Sequence, residues 1–174
     1  MSTYLSFPPS NVLASVESPT TPPPRKGSRR TRELARELNA DSSGDLDRPM
    51  IVFCHLAWDW VWQRPQQFIS RLSAKRRVLF VEWSEADVAQ PVARTRAAAG
   101  YSNITIFHGV LPTARRADTK YLERARLELV QDVLVNEFPG EFEDPILWFY
   151  DPMVFRSFAG RCKESALVYD CMDE

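Results

Sequence analysis

The chain has 174 residues, 44% of them apolar, which is enough for one ordinary domain with a buried core. Its 23 acidic and 22 basic side chains nearly cancel, so no global field draws it to nucleic acid, and no stretch approaches the roughly 20 apolar residues of a membrane span. Cys54, Cys162 and Cys171 are an odd set without C-x-x-C spacing, which argues against a disulfide framework or a structural zinc site.

The start, "MSTYLSFPPSN", lacks the basic flank and apolar centre of a secretory signal, so the expected location is the cytoplasm, where thiols stay reduced. Residues 1–48 differ in composition from the rest of the chain. Seven of the thirteen prolines fall before residue 50, among Ser, Thr and the basic cluster "PPPRKGSRRTRELAR". This reads as a disordered tail, whose short helical pattern "TRELAREL" is below the length that persists alone in water. A solvated tail is the plain reading of its basic cluster; contact with nucleic acid, or peripheral contact with anionic lipid, is the functional one.

From Pro49 to Glu174 the pattern becomes that of a layered α/β domain. "MIVFCHL" (50–56), "RVLFVEW" (77–83), "NITIFHGV" (103–110), "PILWFYD" (145–151) and "ALVYDC" (166–171) are short, continuous apolar runs rich in β-branched and aromatic residues. Such runs predict strands covered on both faces. Between them, Pro65 opens a helix with Phe68, Ile69 and Leu72 on one side, ending near Lys75. A longer helix is expected from Asp118 to Phe138, with Leu122, Ala125, Leu129 and Val133 on one face and Pro139-Gly140 as its stop. A short one follows from Pro152 and closes before Arg161. The segment from Glu85 to Asn103 is open between loop and helix. Strand-helix alternation predicts a Rossmann-like parallel sheet with flanking helices.

In an open parallel sheet, ligands bind beyond the carboxyl ends of the strands, where crossover helices start and present free N–H groups. That rule selects His55, Trp58, Asp59, Trp60, Trp62, Gln63 and Arg64 after the first strand. It adds Glu82 after the second, His108 and Gly109 after the third, Asp151 after the fourth, and Asp170 and Asp173 after the fifth. Arg64 opposes the dipole of the helix it opens, so an anion is expected beside it: Asp59 or Glu82 internally, or a ligand phosphate or carboxylate. Trp58, Trp60 and Trp62, two apart, suit either sugar stacking or a half-buried extended wall. His55 suits either a general base or a hydrogen-bonded interior role, and His108 reads as structural.

Several chemistries are excluded by motif. The chain has no G-x-G-x-x-G after its first strand, no G-x-x-x-x-G-K-[ST] and no G-x-S-x-G, so it carries no dinucleotide fingerprint, P-loop or nucleophile elbow. "DCMDE" (170–174) gathers carboxylates without an adjacent histidine and reads as a solvated chain end rather than a metal site.

"CHLAWDWVWQRPQQFISRLS", with "RVLFVEW", "ILWFYDPM" and "LVYDCMDE", resembles the amino-terminal half of bacterial glycosyltransferases of the GT-B type, which read roughly S-H-L-x-W-D-x-V-x-Q-R-P-Q-H here and Y-D-x-M-D-E at the end of the half-domain. The resemblance covers residues 50–174. It implies one of two Rossmann-like domains that face across a cleft, this one holding the acceptor and the other the nucleotide-sugar donor. It further implies that His55, Trp58, Asp59, Gln63, Arg64, Glu82, Asp170 and Asp173 line the acceptor side, with His55 or Asp59 assisting proton removal. Neither a cofactor nor a metal is implied; the nucleotide-sugar is a substrate. Three positions depart from the family pattern: "FVEWSE" replaces an E-E-P-like run, "YDP" stands where a threonine often precedes the proline, and Gln67 replaces a common histidine.

The resemblance implies a missing donor domain after Glu174, so the chain alone is expected to be inactive, or completed by a separate chain, because orientation of donor against acceptor is worth about 7–11 kcal/mol of the barrier. The competing readings are a non-catalytic carbohydrate- or nucleotide-binding module and an inactive remnant. An uncovered sheet edge near the end predicts self-association.

Overall fold

The computed structural model describes residues 47–171. The expected tail up to residue 46 and Asp173 lie outside them. Six strands form one sheet: β1 (Met50–Phe53), β2 (Val78–Ala86), β3 (Val92–Ala98), β4 (Tyr101–Pro112), β5 (Ile146–Phe149) and β6 (Ala166–Tyr169), in the order β3-β4-β2-β1-β5-β6. Among the described residues three α-helices accompany them: α1 (Arg64–Leu72), α2 (Thr119–Asn136) and the short α3 (Phe155–Phe158).

All five expected strands form, and β1, β2, β4, β5 and β6 run parallel. β1 is central and wholly buried, which is why "MIVF" needs no polar alternation. The pleat sends its residues to two cores. Met50 and Val52, with Val78, Phe80, Ile104 and Ile106, face Ile69 of α1. Ile51 and Phe53, with Leu79, Val81, Phe107, Leu147 and Phe149, face Val130 and Val133 of α2 and Phe158 of α3.

The segment left open between loop and helix is neither: it contains β3, which pairs antiparallel with β4, so the sheet is mixed rather than all-parallel. "VARTRAA" has no apolar run because it is an edge with few buried side chains. Ladder bonds to β4 hold it there, and its arginines discourage pairing with another chain. Only Ala99 and Gly100 separate the two strands, and Gly100 adopts φ +81°, a left-handed conformation suited to a tight hairpin.

The helices follow the expected punctuation with local differences. Asp118 caps α2 by accepting from Tyr121 N at 3.0 Å, but the buried stripe includes Val130, with Leu129 only partly buried. Pro65 takes the second position of α1, since Arg64 is already helical, and Phe68 is 39% exposed, packing at the periphery on Trp148. The helix expected from Pro152 is a 3-10 turn, Pro152–Val154, leading into α3.

Candidate functional site

The five parallel strands run β4-β2-β1-β5-β6, the doubly wound order in which successive connections leave β1 in opposite directions. The switch falls between β1 and β5, and the crevice beyond their carboxyl ends is where this architecture binds ligands. Cys54 and His55 leave β1; Tyr150 and Asp151 leave β5, their N–H groups donating to Phe53 O at 2.8 and 3.3 Å. Asp170 follows β6 and is drawn in by donating its own N–H to Phe149 O at 2.9 Å.

Arg64, at the start of α1, closes this rim. Its Nη2 donates to Asp170 Oδ1 at 2.6 Å. The anion expected beside Arg64 is therefore Asp170, neither Asp59 nor Glu82. The Arg64 side chain is 60% exposed and that of Asp170 only 12%, so the pair sets an exposed cationic side chain on a shielded carboxylate. Asp151 accepts from Met153 N at 2.9 Å and shapes the following turn. His55 is exposed at the same rim, and its imidazole has no hydrogen-bond partner among the described residues.

Beneath the rim, Cys54 and Tyr150 make a neutral floor. Burial pushes the Cys54 thiol up to about 11, helped by the charges of Asp151 and Glu82. Burial also raises Tyr150, reinforced by Asp170 and opposed by Arg64. Neither ionises near neutrality, so Cys54 is no thiolate nucleophile.

The tryptophan loop has a different role from the one its position in the sequence suggests. Because β2 and β4 are linked through a hairpin rather than a crossover helix, the α1 side of β2 and β4 needs another cover. Trp58 supplies it: only 3% exposed, it meets Phe80 at 5.0 Å and Tyr101 at 5.7 Å, both edge-on. Trp62 stacks on Tyr101 at 6.0 Å and remains half exposed, while Trp60 is 65% exposed. Trp58 is therefore a core residue and not a ligand-stacking one. Asp59 is ion-paired with Arg96 of β3, on the sheet's far side from β6. Gln63 precedes α1 and receives a backbone cap, its N–H donating to Gln66 Oε1 at 3.1 Å; Gln66 also donates to Ala57 O, tying the loop to the helix.

Glu82, His108 and Gly109 lie within β2 and β4 rather than beyond their ends. Glu82 is buried under the loop, its Oε2 accepting from Trp58 N at 2.7 Å and its Oε1 facing His108 Nδ1 at 3.0 Å. The other ring nitrogen, Nε2, lies 3.0 Å from Ser84 Oγ. Gly109 makes room for the Trp83 ring, which a Cβ would meet at 2.1 Å. The candidates thus divide: His55, Arg64, Asp151 and Asp170 gather at the switch point, whereas Trp58, Asp59, Glu82 and His108 bind the loop to the β2-β4-β3 half of the sheet.

Sequence reasoning missed Tyr150, Arg96 and Ser84. Tyr150 was visible only as the end of an apolar run, although it immediately precedes Asp151. Arg96 lies in the unrecognised strand, and Ser84 gains meaning only from the β2-β4 register. A cleft of about 510 Å³ lies elsewhere, lined by Gln90, Pro91, Tyr121, Arg124, Glu128 and Asp132. Its charges are of both signs, with Arg124 already 3.8 Å from Glu128, so it selects no ligand class. Among the described residues no group of three or more His, Cys, Asp or Glu is placed to hold a metal, and no helix is long and apolar enough to cross a membrane.

The sequence matches no family model and no curated protein. Among solved structures it is similar to a UDP-forming alpha,alpha-trehalose-phosphate synthase from Burkholderia xenovorans in complex with glucose-6-phosphate, at 14% identity over 69% of this chain and 32% of that one, TM-score 0.47. It is also similar to an OtsA apo structure, at 13% identity over 71% and 33%, TM-score 0.46. A third is the E. coli "Trehalose-6-phosphate" structure bound with UDP-2-fluoro glucose, at 15% identity over 70% and 32%, TM-score 0.39. The chain spans about a third of the length of these proteins. The strand order, not these partial alignments, defines the class: an α/β domain of the doubly wound, Rossmann-like kind.

Proposed function

We propose that this chain is the acceptor-side domain of a GT-B glycosyltransferase, with the β1/β5 crevice as the place where a sugar or glycan acceptor sits. The observation that carries the reading is the meeting of three of the four sequence blocks that resemble that family. Arg64 of the first contacts Asp170 of the last, and Tyr150 of the third lies just beneath the same rim.

In this reading the Asp170 carboxylate accepts from acceptor hydroxyls while Arg64 donates to ring or phosphate oxygens. His55, exposed and without a side-chain partner among the described residues, is the better placed of the two candidate bases, since Asp59 is held by Arg96. It takes the acceptor hydroxyl proton as that oxygen bonds to the donor's anomeric carbon and the nucleotide leaves. The donor is a nucleotide-sugar held by a second domain facing this rim, supplied by a partner chain or by further sequence. Water-exposed half-sites align nothing, so transfer requires that domain.

The test is to mix the full chain with chains encoded beside it and measure nucleotide release from nucleotide-sugars in the presence of sugar acceptors. Turnover only in a mixture, reduced about 100-fold or more by His55→Ala, is expected. No turnover in any mixture, together with tight sugar binding by the chain alone, identifies a non-catalytic binding module instead.

A further inference from the structure

The Glu82-His108-Ser84 chain is separate from the proposed acceptor rim. Glu82 and His108 are direct cross-strand partners in the β2-β4 ladder, and Ser84 is two residues beyond Glu82, so all three side chains share the α1 face of the sheet. Glu82 is buried and both its oxygens are engaged, one by Trp58 N at 2.7 Å and one by His108 Nδ1 at 3.0 Å. A carboxylate only accepts, so His108 donates from Nδ1, and in the neutral imidazole Nε2 is then the acceptor for the Ser84 hydroxyl at 3.0 Å. The His108 ring is 39% exposed and Ser84 is partly exposed, so the hydroxyl end of the chain is reachable from solvent while the acid end is not.

A buried carboxylate fixing an imidazole, which in turn accepts from a reachable serine, is the arrangement that activates an oxygen nucleophile. Arg94 of β3 stands directly opposite His108 in the antiparallel register, on the same face and exposed, and so adds a cation to the face of the sheet that carries the chain. A hydrogen-bond chain serving only to satisfy Glu82 needs no solvent-reachable serine at its end.

We propose that Ser84 is an activated nucleophile toward acyl esters, with His108 as its base and Glu82 as a positioning residue. Ser84 Oγ bonds to the ester carbonyl carbon and passes its proton to His108 Nε2. The tetrahedral intermediate then expels the alcohol oxygen, which takes that proton. Water attacks the resulting acyl-serine, again giving its proton to Nε2, and the carboxylic acid leaves as Ser84 regains its hydrogen. The net change is ester plus water to acid plus alcohol.

The experiment is labelling of the full-length chain with a fluorophosphonate, located by peptide mass spectrometry, alongside p-nitrophenyl acetate hydrolysis from pH 5 to 9. The expected result is labelling at Ser84 that is absent in Ser84→Ala, about 100-fold or more slower in His108→Ala, and rising with pH through deprotonation of one group in the wild type. Glu82→Gln is expected to keep Ser84 in place yet slow labelling and change that pH profile, while Glu82→Asp restores part of the rate. Far-UV circular dichroism identifies any variant that fails to fold, and the wild-type labelling site decides the matter independently of the variants. Labelling elsewhere, no labelling above the Ser84→Ala background, or a rate indifferent to His108 overturns the proposal.

Discussion

Arg64 and Asp170, 106 positions apart, meet at 2.6 Å across the carboxyl ends of β1 and β5. Their contact brings the beginning of the first crossover helix to the end of the last strand. It also sets a cation against a carboxylate at the rim of the switch-point crevice.

That pair is better suited to recognition than to stability. An exposed guanidinium loses to solvent most of what it gains from the carboxylate, so Arg64→Ala is expected to lower unfolding free energy by less than about 1 kcal/mol. Urea denaturation measures it. A loss several times larger means that the pair is a structural clasp and weakens its assignment to a ligand.

The tryptophans separate by role. Trp58→Ala removes a ring from the core and is expected to cost about 3–5 kcal/mol, whereas Trp60→Ala, at an exposed position, is expected to stay within about 0.5 kcal/mol of the wild type. Chemical denaturation of both variants checks this. Equal costs contradict the packing described for the loop.

Gly109 is required by its neighbour rather than by its backbone angle. A Cβ there meets Trp83 Cζ3 at 2.1 Å, and that ring is also engaged edge-on with Phe107 at 5.4 Å. Gly109→Ala is expected to destabilise by about 1–3 kcal/mol and to change the near-ultraviolet circular dichroism of the displaced indole. An unchanged spectrum with unchanged stability shows that the ring has room to move.

Alkaline stability reports on Cys54. Its folded pKa, about 11, exceeds its ordinary value of 9.0, so the folded state keeps a proton that the unfolded chain releases. The contribution is fully present below about pH 9 and is lost as pH rises through 11, amounting to roughly 2–3 kcal/mol. Stability against pH from 8 to 11 is expected to fall less steeply in Cys54→Ala than in the wild type. Parallel curves contradict this origin.

The strands were legible because each buried run must be apolar on both faces, and "MIVF" and "ILWF" suit the interior of a sheet covered on both sides. β3 was not, since an exposed edge held by ladder bonds leaves little hydrophobic signal; only the Gly100 turn betrays it. At the site, the rule of strand carboxyl ends reached His55, Arg64, Asp151 and Asp170. It failed for Glu82 and His108, because β2 and β4 continue to Ala86 and Pro112 and carry those residues back into the ladder. It failed for Trp58 because the need for a cover over β2 and β4 follows from the hairpin, which the sequence did not reveal. The partner of Arg64 depends on β6 lying beside β5, a fact of topology rather than of local pattern.

The most direct test of the central claim is an isotope-labelled NMR titration of the full chain with a panel of mono- and disaccharides and sugar phosphates. The acceptor-domain account predicts saturable shifts confined to His55, Arg64, Tyr150, Asp151 and Asp170 for at least one sugar, lost in Asp170→Asn while the remaining spectrum is retained. Shifts centred on another surface, or none with any sugar, contradict it.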